Sequence, residues 1–320
     1  MARPQSTSRA VQALLIVALL ALLGLLVATT RAHLEERGIR SGFDFLFEPA
    51  GFSLGESVLP FDAGDTTLRA FIAGLLNTLR VALPGAALAL GLGILLGFGR
   101  LADNPLVRGL AGTAVNAIRN VPLLLHLLAW YFILTDLLPA VDAPLQLAPG
   151  VFLSKSGLAL PWWGDNGFEI PELAGFGIDG GASLTPEYLA LLFGLTIYGA
   201  AYIAETLRGA VLALPEGQRT AALALGMTPR QTFLLVLLPQ AWRAALPPTT
   251  SQLLNLFKNS SLAVAIGYPD LMAVAGTSLN QSGRAIECLS IVVAVYLLLS
   301  LLGAAFSHRL ERRSLRGGPA

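Results

Sequence analysis

The sequence predicts an all-α integral membrane protein with about six transmembrane helices. Of its 320 residues, 54% are hydrophobic and 13% are charged, whereas charged residues make up about a quarter of a soluble domain. The chain also contains apolar runs that are long enough to cross roughly 30 Å of hydrocarbon as a helix. These runs lie near residues 11–30, 70–98, 106–138, 187–208, 245–274 and 286–306.

The first run fits two interpretations. A basic start at Arg3 and Arg9 followed by an apolar stretch is typical of a secretory signal peptide, with cleavage after Ala28 or Ala32. We favour a retained membrane anchor, because the run is long for a signal peptide and no clear small-x-small cleavage site follows it.

The third and fifth runs contain residues that interrupt helices. The sequence Arg119-Asn120-Val121-Pro122 divides the overlong third run, which predicts a bend or a break. The fifth run has Pro247-Pro248 near its start and Gly267-Tyr268-Pro269 near its end. We therefore expect a helix with two weak points.

The distribution of arginine predicts the orientation, because cytoplasmic segments are enriched in arginine and lysine. One side of the six runs carries Arg3, Arg9, Arg100, Arg108, Arg208, Arg219, Arg230, Arg243, Arg309, Arg312, Arg313 and Arg316. The other side carries Arg31, Arg37, Arg40, Arg69, Lys155 and Arg284. We expect both termini and the polar segment after the fourth run to be cytoplasmic.

Two segments on the predicted external side are long enough for a role of their own. Residues 31–68 are acidic, and residues 139–186 are acidic and rich in glycine and proline. They form either a docking surface for an external protein or solvated loops, with Trp162 and Trp163 at the membrane interface. We favour the interface for the tryptophans and a folded role for the second segment, since structureless loops of this length are uncommon.

These features divide the chain into three parts. Residues 1–68 form an anchor and an external segment, residues 69–310 a transmembrane domain, and residues 311–320 a basic cytoplasmic tail. The transmembrane domain includes the external insertion at about 139–186 and a polar cytoplasmic segment at about 205–245.

The composition argues against several functions. The net charge of +1 gives no electrostatic basis for binding nucleic acid. His33, His126 and His308 are far apart and lack metal-ligand spacing. Neither Lys155 nor Lys258 follows a glycine, so no phosphate-binding loop is present, and any ATP would bind to another chain.

Small residues in the apolar runs predict close packing. Gly85, Gly91, Gly93 and Gly97 allow another helix to approach, either a second subunit or a helix of this chain. The single Cys288 cannot form an internal disulfide, and its expected role is packing.

The polar segment between the fourth and fifth runs predicts two short helices joined at a glycine. Gly226 suits the left-handed position that ends the first helix. Thr228 is the expected N-cap of the second, with Pro229 in its first turn and Gln231 completing a capping box. Pro239 is expected to end the second helix.

The spacing Thr220-Ala221-Ala222-x3-Gly226-x9-Val236-Leu237-Leu238-Pro239 resembles the Glu-Ala-Ala loop of ABC importer permeases. That resemblance implies the type I importer fold, with coupling helices that dock into a separate ATPase. Thr220 replaces the motif glutamate, which puts one ATPase contact in doubt. The implied ATPase-coupling residues are Thr220, Ala221, Ala222, Gly226, Met227, Thr228, Pro229 and Pro239.

The fifth run carries a polar face. Gln252, Asn255 and Asn259 follow helical spacing and Lys258 adjoins them. An interrupted helix can offer free backbone donors to a carboxylate and side chains to an ammonium group. Alternatively, these residues form hydrogen bonds to a neighbouring helix. The candidate substrate-path residues are Gln252, Asn255, Lys258, Asn259, Ser260 and Ser261.

The stretch Lys258-Asn259-Ser260-Ser261-Leu262 resembles an element of polar amino acid permeases. Asn77-Thr78-Leu79 and Arg119-Asn120-Val121-Pro122-Leu123 extend the likeness over roughly residues 68–310, closest to the general L-amino acid branch. Asn259 stands where relatives selective for cationic amino acids place an acidic residue, which implies a relaxed side-chain preference.

Further polar residues and a proline in the runs are candidates for structural or gating roles: Arg80, Arg119, Asn120, Pro122, Glu205 and Glu287. We expect Lys258 to pair with Glu205 or Glu287, or to stabilise packing near the cytoplasmic side. Arg119 is expected to hold carbonyl groups freed by Pro122 or to extend to the interface. Arg80 has no obvious local partner.

The resemblance implies the permease subunit of an ATP-driven amino acid importer in a bacterial inner membrane. Its implied partners are an ABC ATPase dimer that binds ATP and magnesium, a second permease subunit, a periplasmic binding protein and membrane lipid. This chain needs no cofactor. The alternatives are a permease of the same fold for another solute, a membrane enzyme, or an ion-coupled transporter that uses Asp136, Glu205 or Glu287.

Overall fold

The computed structural model of the chain describes residues 5–36, 42–164, 167–175 and 177–316. Three of the charged residues considered above, Arg3, Arg37 and Arg40, lie outside the described residues, as do residues 317–320 of the basic tail.

The described helices follow the predicted apolar runs. They are α1 (Gln5–Glu36), α2 (Thr67–Leu101), α3 (Pro105–Arg119), α4 (Leu123–Phe132), α5 (Pro186–Leu212), α6 (Glu216–Ala224), α7 (Pro229–Gln231), α8 (Leu238–Asn259), α9 (Leu271–Ser282) and α10 (Ala285–Arg316). π-Helical segments at Ile133–Leu137 and Thr232–Leu237 and a 3-10 segment at Ser260–Ile266 extend α4, α7 and α8, and a separate 3-10 helix spans Asp44–Phe47.

By length and composition, three described helices can cross a membrane: Thr67–Leu101, Pro186–Leu212 and Ala285–Arg309. Two bent pairs raise this number to as many as five. The pair of Pro105–Arg119 and Leu123–Leu137 meets at 101°, which confirms the bend or break predicted at Asn120–Pro122. The pair of Pro229–Ile266 and Leu271–Ser282 meets at 52°.

Helix α2 packs in parallel against α5 through its glycines. A Cβ atom on Gly93 would lie 2.7 Å from the Cβ of Ile203, and one on Gly97 would lie 2.9 Å from a methyl group of Leu207. A Cβ on Gly91 would meet nothing within 4 Å. Of the two interpretations of these glycines, the structure therefore supports contact within the chain for Gly93 and Gly97.

The second short helix does not end at Pro239, contrary to the sequence prediction. The chain stays helical from Pro229 to Asn259, with a π-helical segment at Thr232–Leu237 directly before the proline. Proline lacks an N–H group and its ring clashes with the carbonyl four residues earlier. The widened π turns occur where that regular bond would be lost, so the helix continues.

The insertion at about 139–186 is built of β-strands, which its sequence does not predict. Strands β1 (Leu145–Ala148), β2 (Val151–Ser154), β3 (Gly157–Leu160) and β8 (Ala182–Leu184) form an antiparallel sheet in that order. The insertion also contains two separate two-stranded hairpins: β4 (Trp162–Gly164) with β5 (Gly167–Glu169), and β6 (Glu172–Ala174) with β7 (Gly177–Asp179). Strands of three or four residues are too short to show a clear period.

Residues 42–66 form a strap that contacts the N-terminal end of α2, the C-terminal end of α9 and the N-terminal end of α10. The backbone N–H of Gly42 donates to Glu287 (2.8 Å), and Arg284 donates to Asp44 (Nη2 to Oδ2, 2.9 Å). The hydrogen bond from Arg284 lowers the pKa of the Asp44 carboxyl. Phe45 of the strap is buried together with Cys288, whose predicted role in packing is confirmed.

Candidate functional site

The segment between α5 and α8 contains a locally specified hinge at Gly226. Gly226 has a φ of +83°. Its N–H donates to Leu223 O (3.0 Å) and that of Met227 donates to Ala222 O (3.2 Å), the two bonds of a Schellman motif. Thr228 and Gln231 then form the predicted capping box. Both helix ends at the hinge are therefore satisfied without tertiary contacts.

The surface of the hinge is unusually exposed for an ordered element. Leu225, directly before Gly226, is 84% exposed, the highest value among the large hydrophobic side chains described. Ala222 is the one buried residue of α6. The Thr220 hydroxyl donates to Glu216 O within the same helix (3.1 Å).

A groove of about 610 Å³ separates the hinge from the inner ends of α2 and α5. It is lined by Phe98, Leu212, Arg219, Arg230, Thr232, Phe233 and other residues of these segments. Thr232 is buried and its Oγ1 has no hydrogen-bond partner among the described residues. Phe98 of α2 and Phe233 of the π-helical segment, which both line the groove, meet edge to face with their ring centroids 6.4 Å apart.

The polar face of α8 is partly open to the outside of the subunit. Asn255 and Lys258 are exposed and Gln252 and Asn259 are half-buried. Ser261 donates to Lys258 O (2.7 Å). Ser260 differs from the others, because it is fully buried and donates to Phe257 O (2.8 Å). We therefore omit Ser260 from the candidate substrate path.

The break between α8 and α9 does not offer free backbone donors, contrary to the expectation for an interrupted helix. The N–H of Leu271 donates to Thr78 Oγ1 (3.2 Å) and that of Ala273 donates to Asp270 Oδ1 (2.8 Å). The Pro269 carbonyl accepts from Asn77 Nδ2 (2.9 Å). Side chains of α2 and the Asp270 cap satisfy the break, so an anion would find these groups already bonded.

Glu205 lies among three arginines near the C-terminal ends of α2, α3 and α5. Glu205 of α5 accepts from Arg100 of α2 and from Arg208 (Nη2 to Oε1, 2.6 Å), and Arg119 Nη1 lies 3.8 Å away. Arg119 also stacks on the ring of Tyr202 at 5.2 Å. The cluster joins α2, α3 and α5.

The partners predicted for Lys258 are engaged elsewhere. Glu205 holds the arginines, and Glu287 accepts the Gly42 N–H. Lys258 forms no ion pair within 4 Å among the residues described, so the predicted pairs with these two carboxylates are wrong. Tertiary packing decides which groups each carboxylate meets, and the sequence alone does not show these partners.

One alternative predicted that Arg119 holds the carbonyl groups near Pro122. In the structure a histidine contacts one of these groups instead. His126 Nε2 lies 3.0 Å from Ile118 O, the carbonyl four residues before Pro122. Sequence reasoning missed this role, although the spacing of four residues between Pro122 and His126 was a usable signal. Because His126 contacts this carbonyl group, Arg119 can lie near the Glu205 carboxylate instead.

Arg80 acquires a partner from the strap. It donates to Glu56 and lies over the ring of Tyr188 at 4.8 Å. Glu56 also accepts from Thr185 at the start of α5. Together these residues join the strap, α2 and α5 at their external side.

A family described as binding-protein-dependent transport system inner membrane component matches residues 89–316. The chain belongs to this family. It is therefore an integral membrane transport subunit rather than an enzyme, as the sequence predicted, and family membership does not favour the ion-coupled alternative.

Two curated relatives match nearly the whole chain. The putative amino-acid ABC transporter permease protein YhdX of Escherichia coli (strain K12) is 36% identical, over 94% of this chain and 92% of the relative. The general L-amino acid transport system permease protein AapQ of Rhizobium johnstonii is 35% identical, over 95% and 91%.

A solved structure has the same fold. The crystal structure of an amino acid ABC transporter with histidines contains a chain that is 24% identical, with a TM-score of 0.59, covering 77% of this chain and 94% of that one. The predicted type I importer fold is thus confirmed, with a β-structured insertion added to its helices.

Proposed function

We propose that this chain is the permease subunit of an ATP-driven importer of L-amino acids. Family membership places it in a membrane transport system. The names of the two relatives described above both refer to the transport of amino acids. Those relatives match over more than nine-tenths of both chains, which supports carrying the substrate class to this protein.

The hinge at Gly226 is the observation that carries the coupling mechanism. Residues Glu216–Gln231 form an ordered element whose caps are satisfied locally and whose Leu225 remains exposed. Such an element can dock into another protein without first refolding. We assign it to the contact with a cytoplasmic ATPase, and under this assignment we expect the hinge, the N-terminus and the C-terminus on the cytoplasmic side.

The exposed face of α8 supports a shared translocation path. Asn255 and Lys258 are polar, exposed and located on a helix of the membrane domain. Lipid contact for such groups is costly, so this face must adjoin water or protein. We assign Gln252, Asn255, Lys258, Asn259 and Ser261 to a path formed with a second permease subunit, either a copy of this chain or a paralogue.

In this scheme the remaining functions belong to partners. ATP and magnesium bind to a pair of separate ATPase subunits, and closure of that pair moves the hinge. An external binding protein delivers the amino acid to the opposite side. The chain itself shapes the path and transmits motion, so it requires no cofactor.

The decisive experiment substitutes the hinge glycine in the assembled transporter, reconstituted with its ATPase and binding protein. Gly226→Asp should separate ATP hydrolysis from amino acid uptake while assembly is partly retained. The positive φ of Gly226 costs most residues that carry a Cβ about 1–2 kcal/mol, and aspartate also adds a negative charge to the exposed surface of the hinge. Gly217→Asp is the matched control, because Gly217 lies in the first turn of α6 with nothing within 4 Å of an added Cβ.

Unchanged uptake and unchanged ATP hydrolysis in Gly226→Asp, with full assembly, would overturn the assignment of the hinge. Equal losses in both variants would also count against it, because the defect would then not depend on the hinge geometry. Uptake that continues after removal of the ATPase would overturn the proposed ATP-driven mechanism as a whole.

A further inference from the structure

Helices α2 and α5 mark the outer boundary of the hydrocarbon layer. Arg80 and Arg100 enclose a stretch of α2 without charged residues, and their separation of 20 residues corresponds to about 30 Å along a helix. This equals the thickness of a typical hydrocarbon core. Helix α5 agrees, because Glu187 and Glu205 enclose its uncharged stretch and Tyr188 and Glu205 contact Arg80 and Arg100.

The β4–β5 hairpin of the insertion lies at this outer boundary. A cavity of about 730 Å³ separates Trp162 of β4 from α2, where its lining includes Leu79, Arg80 and Leu83. Leu83 belongs to the uncharged stretch and is 57% exposed. The hairpin is therefore next to the part of α2 that enters the hydrocarbon. Leu83, which belongs to that part, lies one helical turn after Arg80.

The hairpin also presents apolar groups on its other face. Trp163 is paired with Phe168 across the two strands, and their rings meet edge to face at 5.6 Å. Both rings are mostly exposed, Trp163 at 73% and Phe168 at 57%. Exposed apolar surface of this kind needs a partner, and tryptophan is the residue most typical of the interface between lipid headgroups and hydrocarbon.

The apolar surface of the hairpin continues onto α2. Leu83, Ala87, Gly91 and Leu95 follow one another at helical spacing and are all exposed. Leu76 and Leu79, which line the cavity, lie on the same face. The surface under Trp162 is thus an extension of a membrane-spanning surface and not an isolated patch on the external domain.

We propose that the β4–β5 hairpin anchors the insertion in the outer leaflet of the membrane. Trp162 and Trp163 lie among the lipid headgroups, and a lipid acyl chain fills the cavity between Trp162 and α2. The anchor holds the β-structured insertion at a fixed height beside the external end of the transmembrane domain. The occupant of this surface is phospholipid, and a protein partner is the competing outcome of the test.

The test measures tryptophan emission of the full chain in lipid nanodiscs. The chain has four tryptophans, so replacing Trp130 and Trp242 by phenylalanine leaves the hairpin pair as the reporters. Lipids with brominated acyl chains should reduce this emission strongly relative to unbrominated lipids, and aqueous iodide should reduce it little. Emission that responds to iodide and ignores brominated lipid would overturn the proposal.

A second measurement does not depend on those phenylalanine substitutions. Cys288 is buried, so Trp163→Cys creates a single accessible thiol for a nitroxide label. The label should be more accessible to oxygen, which dissolves in lipid, than to a water-soluble nickel complex. Ser183→Cys on the exposed face of β8 is the matched control and should show the reverse order. Equal accessibility at both positions, or protection at position 163 that requires the binding protein, would overturn the lipid anchor.

Discussion

The amide nitrogen of Asn77 lies 2.9 Å from the carbonyl oxygen of Pro269, 192 residues later in the chain. Asn77 also donates to Glu56 O and accepts from the Val58 N–H. One fully buried side chain therefore joins α2, the strap and the break between α8 and α9.

We expect Asn77→Leu to lower the stability of the subunit. Leucine is similar in size but leaves the Pro269 carbonyl without a partner, at a cost of about 1–3 kcal/mol. A lower melting temperature in detergent would be the expected result. Thr29→Leu changes a polar residue on an exposed part of α1 and is the control. Equal melting temperatures for Asn77→Leu and the parent protein would contradict the role of this amide.

Helix packing gives a prediction with two closely matched glycines. Gly93→Ala places a methyl group 2.7 Å from Ile203 Cβ, whereas Gly91→Ala meets nothing within 4 Å. Overpacking of this type costs about 1–3 kcal/mol. Gly93→Ala should therefore lower the melting temperature and the yield of folded protein, while Gly91→Ala should leave both unchanged or slightly improved. If Gly91→Ala were the more harmful change, Gly91 would contact another subunit.

Removal of the Glu205 carboxylate should destabilise the inner ends of three helices. Glu205→Gln leaves Arg100, Arg119 and Arg208 without their shared counter-charge. The cost should be below the about 3–5 kcal/mol of a fully buried pair, because the arginine side chains are up to 34% exposed. Folded yield and melting temperature measure the effect, with Glu172→Gln on the exposed strand β6 as the control. The result would contradict the cluster if both variants behaved alike.

The stability contributed by the ion pair between Asp44 and Arg284 should depend on pH. The folded-state pKa of Asp44 lies below its ordinary value of 3.8, so the carboxylate stabilises the fold above that value and loses this effect as pH falls through the lower folded pKa. Asp44→Asn should therefore reduce the melting temperature at pH 6, and the difference from the parent protein should shrink below about pH 4. Asp179→Asn is the exposed control. A difference that stays constant down to pH 3 would contradict this account.

The substrate path can be tested at position 259. Asn259→Asp adds a negative charge to the half-buried end of the polar face of α8, so uptake should shift towards cationic amino acids. Competition among amino acids of different side-chain classes would measure the shift in the reconstituted transporter. Asn104→Asp, at the exposed N-cap of α3 and away from this face, is the control. An unaltered profile for Asn259→Asp would remove this residue from the path.

Local sequence was sufficient for features that depend on neighbouring residues. The apolar runs predicted the helices because hydrocarbon thickness fixes their length. The hinge followed from Gly226, Thr228 and Gln231, since caps and left-handed turns bond within a few residues of themselves. The bend near Pro122 followed from the missing proline N–H.

Tertiary structure decided which groups meet. The partners of Arg80, Glu205 and Pro269 come from segments 24 to 192 residues away, and no local rule selects among such distant groups. Ser260 and Asn259 are neighbours in sequence, yet packing buries the first fully and leaves the second half-buried. The sequence by itself thus determined a membrane transport subunit with two short helices joined at Gly226. Only the folded chain decided that its broken helix is fully bonded and its insertion is a β-sheet, because both depend on long-range pairing of backbone groups.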